Sequence, residues 1–243
     1  METAQYLQHL RPEGEALARA ADGNLGARVP PCPEWTVADL VDHVIDVHWF
    51  WRNVAEGSLQ SPAELTESRD RPSDDHLLDV FREELDRLVG ILADADPSTA
   101  VWTWSSQNDV AFIQRRMAQE TAVHRWDAEA ATRTPDPIDA ELAIDGVDEF
   151  LDLFLCHPEM AKRFDASRST VHLHSTDAPG EWLIETGGGA VRVAREHGKG
   201  DVAVRAPASD LLLLLWRRRG PDDLEVFGDM GALVRFLGNC KVE

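Results

Sequence analysis

The sequence predicts an α+β protein: a four-helix bundle followed by a small α/β domain. Three observations carry this. The first half holds four long segments with apolar residues at helical spacing, the connections between them are polar or rich in proline, and after residue 137 the pattern changes to one further helix followed by short alternating segments. At 243 residues the chain exceeds a typical domain of about 100–200 residues, and the expected division is 1–165 and 166–243.

Residues 3–22 carry Tyr6, Leu7, Leu10 and Leu17 at a loosely helical period that stops at Asp22-Gly23. After the proline-rich Val29-Pro30-Pro31-Cys32-Pro33, Thr36 can cap a second helix. Its apolar positions Val37, Leu40, Val41, Val44, Ile45 and Trp51 keep the 3.6 period as far as Gly57, and His43 rides on it. A polar loop is expected over 58–72. Ser73 then caps a third helix, in which Leu77, Leu78, Phe81, Leu85, Leu88 and Leu92 recur in steps of three, four and one until Asp96-Pro97. The fourth helix, 109–133, is stopped by Thr134-Pro135-Asp136-Pro137 and carries Glu120 and His124 near its middle.

A helix over 140–163, with Leu142, Ile144, Val147, Phe150, Leu151 and Phe154 apolar, leads to strands at 170–174, 182–186, 190–194 and 202–206. The glycine run 187–189 joins two of them as a hairpin turn. It lacks a following Lys-Ser/Thr and opens no helix, so it is not a phosphate loop. Helices over 208–217 and 229–237 complete the small domain. The leucine run at 211–215 reads as core.

Composition narrows the function. A formal net charge of -20 with no basic run repels phosphate backbones, so no nucleic-acid partner is expected. The cysteines Cys32, Cys156 and Cys240 form no CxxC pair, and an odd count argues against a disulfide framework, which fits a reduced cytoplasm. No signal region is evident, and the longest apolar run, 211–216, falls far short of the ~20 residues that span a membrane. A monomer or homodimer acting on a small molecule is the expectation.

The chemistry concentrates on three residues. Glu120 and His124 are four apart on a helix, so both side chains leave the same face one turn apart. If the helix carrying His43 packs alongside, three N/O donors converge with a position left open, the arrangement of catalytic zinc. The same spacing also fits a solvated Glu-His pair and a partly buried histidine. His172 and His174, two apart on a strand, face one side, which suits either a metal or plain exposure.

These residues resemble a known family. Val29-Pro-Pro-Cys-Pro-Glu-Trp-Thr36 followed by Leu40 and His43, together with Glu120-x-x-x-His124-x-Trp126-Asp127, is similar to the mycothiol-dependent maleylpyruvate isomerase family, and the 211–229 segment is similar to its C-terminal part. The resemblance implies a DinB-like helical bundle with a small α/β domain. It implies Zn²⁺ on His43, Glu120 and His124, mycothiol as a low-molecular-weight thiol cosubstrate, and an arginine from the C-terminal region at the site. Arg217 and Arg218, with Arg219 beside them, are the catalytic candidates, because a guanidinium fork matches a carboxylate. A solvated cluster complementing a helix C-terminus is the other reading of these arginines. Asp127 could orient the His124 imidazole, and Cys32 reads as structural. Isomerase and S-transferase chemistry both fit a thiol-activating site; a metal-dependent hydrolase and a non-catalytic protein stay open.

Overall fold

In a computed structural model, which describes residues 1–57, 59, 61–64, 69–164 and 168–241, contacts divide the chain into two units, Met1–Asp136 and Pro137–Glu243. The first unit opens with α1 (Thr3–Ala21), which buries Tyr6, Leu10, Leu17, Ala18 and Ala21. A short hairpin, β1 (Arg28–Val29) and β2 (Cys32–Thr36), leads straight into α2 (Val37–Ala55). The hairpin occupies the proline-rich segment and was not anticipated. Thr36 then caps α2: its hydroxyl accepts from the Asp39 amide, and the Asp39 carboxylate accepts from the Thr36 amide at 2.9 Å.

Of the expected 58–72 loop, residues 58, 60 and 65–68 lie outside the described residues, and a 3₁₀ turn occupies Pro62–Glu64. Ser73 stands at the N-cap of α3 (Asp74–Asp94), but its side chain makes no capping bond. Asp109 does cap α4 (Val110–Ala130), accepting from the Phe112 amide at 3.0 Å. α1 packs between α3 and α4, and α2 contacts the same two helices from the other side, which closes a four-helix bundle. Leu10, Leu17, Leu40, Val44, Leu77, Phe81, Leu85 and Ile113 form its core with no exposed surface. Each such side chain contributes roughly 1.5–3 kcal/mol relative to leaving it in water.

In the second unit, α5 (Ala140–Glu149) continues as a π-helical stretch at Phe150–Leu155, turns at Cys156-His157, and resumes as α6 (Pro158–Ala161) and a 3₁₀ turn at Lys162–Phe164. The single helix expected over 140–163 is therefore interrupted, and Pro158 sits at the start of α6, where its missing N–H costs nothing. The strands are β3 (Ser169–Ser175), β4 (Glu181–Gly187), β5 (Ala190–Ala194), β6 (Val202–Ala206) and, after α7 (Ala208–Leu215), β7 (Glu225–Gly228). α8 (Met230–Asn239) ends the domain. The sheet order is β5-β4-β3-β6-β7, with β3 and β6 parallel and the other pairs antiparallel. Gly188 and Gly189, at φ of 62° and 72°, form the two-residue turn between β4 and β5, a conformation that favours glycine at both positions. β7 is an unexpected edge strand. Among the described residues no helix is long and apolar enough to cross a membrane.

The expected boundary at 165–166 lies outside the described residues, and the contacts place the division after Asp136 instead. The reason is local bonding. α5 packs on α7, the Ile138 amide donates to Ser209 Oγ at 2.9 Å, and Asp148 accepts both from Trp182 Nε1 at 2.8 Å and from Arg195 at 2.7 Å. Residues 138–152 therefore belong to the sheet domain.

Candidate metal centre

His43 on α2 and Glu120 and His124 on α4 come together, with their donor atoms within 4.8 Å of one another. Glu120 Oε1 lies 3.1 Å from His124 Nε2 and 3.4 Å from His43 Nε2. The two imidazoles meet edge to face with centroids 5.1 Å apart. The helical spacing does what the sequence implies, and the capped start of α2 sets His43 opposite it.

Glu120 and His124 are each held from behind. Arg116, one turn before Glu120 on the same helix, donates to Glu120 Oε2 at 2.7 Å and leaves Oε1 facing the histidines. His124 Nδ1 lies 3.0 Å from Oδ2 of the fully buried Asp127, which sets the imidazole so that Nε2 points into the cluster. Trp35, the last residue before the Thr36 cap, lies with its ring 5.0 Å from that of His43. The Trp-Thr pair thus has two physical jobs: one side chain contacts a donor and the other starts its helix.

Burial disfavours charge on His124, yet the Glu120 and Asp127 carboxylates on either side outweigh it and raise the imidazole pKa to about 9. For Glu120, burial opposes ionisation, but His124, His43 and Arg116 hold its carboxyl well below the usual range.

His48 was missed at the level of sequence. It is fully buried one and a half turns beyond His43, and Nε2 lies 2.8 Å from Thr121 Oγ1, tying α2 to α4 beside Glu120. Burial pushes its pKa down to about 3, so it is neutral. Nothing in the α2 pattern marks it, because it stands among apolar neighbours. Arg116 is partly legible, since it precedes Glu120 by four residues.

The arginines predicted from the C-terminal segment have their own partners in the second unit. Arg217 sits at φ 63° and donates to the Leu237 carbonyl at 2.5 Å; Arg218 donates to the Trp216 carbonyl and lies 5.9 Å from its indole centroid; Arg219 Nε lies 3.0 Å from Asp210 Oδ1. Trp126 is buried, as expected of core, and Cys32 is half-buried in β2.

Two imidazoles and a carboxylate on a pair of packed helices, the carboxylate and one imidazole each oriented by a second residue, fit a divalent metal with a coordination position left for another ligand. The fold and this constellation define a bundle-based candidate metalloenzyme with an appended sheet domain. Comparison with known proteins sharpens the class. The family described as Mycothiol maleylpyruvate isomerase N-terminal domain matches residues 7–129, and the MDMPI C-terminal domain matches residues 141–235. The chain belongs to the mycothiol maleylpyruvate isomerase family. A crystal structure of the mycothiol-dependent maleylpyruvate isomerase superposes with a TM-score of 0.66 at 14% identity, covering 96% of each chain. A histidine-to-alanine mutant of that enzyme gives 0.64 at 12% identity, again with 96% of each chain covered. No curated protein matches the chain.

Proposed function

We propose that this protein is a metal- and mycothiol-dependent enzyme of the maleylpyruvate isomerase type, with Zn²⁺ held by His43, Glu120 and His124. The convergence of those three donors, two of them backed by their own partners, carries the reading, and family membership supports it. Zinc there supplies a Lewis acid that favours the thiolate form of a thiol at neutral pH. Asp127 keeps His124 Nε2 aimed into the cluster, and Arg116 keeps Glu120 ionised and oriented. His48, neutral and bonded to Thr121, holds α2 and α4 at the spacing the donors need.

The chemistry this site serves is addition of the thiolate to the cis double bond of an unsaturated keto acid. The new C–S bond converts that double bond to a single one and moves an electron pair onto the conjugated carbonyl. Rotation follows, and expulsion of the thiolate restores the double bond in the trans form with no net gain or loss of atoms. Arg217 and Arg218 are the candidates for the substrate carboxylate, as the family resemblance implies. Product analysis separates the alternatives: maleylpyruvate with mycothiol and zinc-loaded protein should yield the trans isomer. A stable thioether as sole product would make the protein an S-transferase.

A second prediction concerns protons. Below pH 9 the His124 imidazole of the metal-free site is protonated, and a metal ligand must be neutral, so zinc uptake at pH 7 should displace about one proton from this residue. Zinc affinity should therefore rise with pH and level off above 9. Calorimetry in buffers of different ionisation enthalpy reads the proton count, and the difference between wild type and His124→Ala, which loses the bundle site, gives the protons that this site releases. Identical counts would contradict the assignment of His124 as a ligand.

A further inference from the structure

A second group of donors lies wholly within the sheet domain. His172 and His174 project from one face of β3, and Glu181 stands directly opposite His174 on β4. His197, three residues past the end of β5, folds back onto the same face. The four side chains place their donor atoms within 4.8 Å of one another. The Glu181 carboxylate is their centre: it lies 2.7 Å from His174 Nδ1, 2.9 Å from His197 Nδ1 and 3.6 Å from His172 Nε2.

We propose that His172, His174, Glu181 and His197 form a second metal site, for a divalent transition ion such as Zn²⁺, independent of the bundle cluster. Three observations carry it. First, three imidazoles and one carboxylate supply the four N/O ligands of a closed tetrahedral site. Second, His172 is 5% exposed, and its Nε2, aimed at the cluster, is buried without a hydrogen-bond partner, because 3.6 Å to Glu181 is too long. An ion on that nitrogen would satisfy it. Third, the segment carrying His197 is laid tightly on the strands. A Cβ on Gly198 would come within 2.6 Å of Leu183 Cδ2, and one on Gly200 within 2.7 Å of the Val202 carbonyl oxygen and 2.8 Å of that of Thr170. Those two glycines let the chain cross the sheet close enough for His197 to reach Glu181. With four protein ligands no position is open, so the role of the ion is structural: it pins the β5–β6 connection to β3 and β4.

Zinc content measures this directly. Protein equilibrated with Zn²⁺ and desalted should lose one equivalent per chain in His174→Ala and one in His197→Ala. His197 has a side chain 78% exposed, so its removal leaves the fold intact, and far-UV circular dichroism should confirm that. In a His124→Ala background the remaining equivalent should disappear on adding His197→Ala. Zinc content equal to wild type in both single variants would overturn the site, whatever the bundle cluster holds.

Discussion

Glu120→Gln and His124→Ala should each remove one equivalent of zinc and lower thiol-dependent turnover by more than the roughly 100-fold that losing a ligand's supporting partner costs. Both residues contribute donor atoms to the cluster. Glutamine is the better substitution at 120. Arg116 is 5% exposed, and alanine at 120 would remove the carboxylate that accepts from it, adding a folding defect to the loss of a ligand. Asp127→Asn should produce the smaller, supporting effect, a roughly 10–100-fold weakening of zinc binding, because it disturbs the bond that orients His124 while leaving every ligand in place. Elemental analysis and thiol-dependent rates read both. Unchanged zinc in Glu120→Gln, His124→Ala and His43→Ala together would remove the bundle site.

Arg125→Ala should destabilise the protein by about 3–5 kcal/mol, the cost of breaking a buried ion pair from one side. Arg125 follows His124 but faces the other way, toward α1. Arg125 is 3% exposed, and its guanidinium donates to Glu13 at 2.6 Å, to Glu129 at 2.9 Å and to the Asp136 carbonyl at 2.6 Å. Removing it strands the Glu13 carboxylate and takes away the donor to the Asp136 carbonyl. Arg133, half exposed, also reaches Glu129 but shares it with Arg125 and the Asp136 amide, so Arg133→Ala should cost far less. Urea denaturation of the two variants makes the comparison, and equal midpoints would contradict it. Because Arg125 does not face the donors, the folded variant should keep its zinc.

α1, α2 and α3 are legible because each turns one apolar stripe inward, and Thr36, read as a cap, is used as one. α4 is a different case: from Gln114 to Glu129 it buries polar and charged groups, so its boundaries can be read from flanking signals while its burial cannot. The β1–β2 hairpin is hidden by Pro30, Pro31 and Pro33, which read as strand breakers. β7 is four residues long and mostly exposed, too short for any period to show. The interruption at Phe150–Leu155 keeps its apolar pattern through the π-helical stretch, so the sequence looks like unbroken α-helix.

In the site, the i,i+4 relation of Glu120 and His124 lies on one helix and is readable. Their meeting with His43 depends on how α2 packs, which spacing only permits. Asp127 and Arg116 share that helix at i,i+3 from His124 and i,i+4 from Glu120, so both pairings are readable in outline, and the structure supplies their geometry. Likewise, the His172-His174 alternation is visible on one strand, whereas Glu181 and His197 join them only through β4 pairing and the close-laid glycine segment.

The most direct test of the central claim is a single assay with two variables: metal-stripped or zinc-loaded protein, with or without mycothiol, acting on maleylpyruvate. The account predicts turnover to the trans isomer only when zinc and thiol are both present, and none in His43→Ala under any condition. Full turnover of a hydrolysable substrate by zinc-loaded, thiol-free protein would contradict it and assign the bundle site to water activation instead.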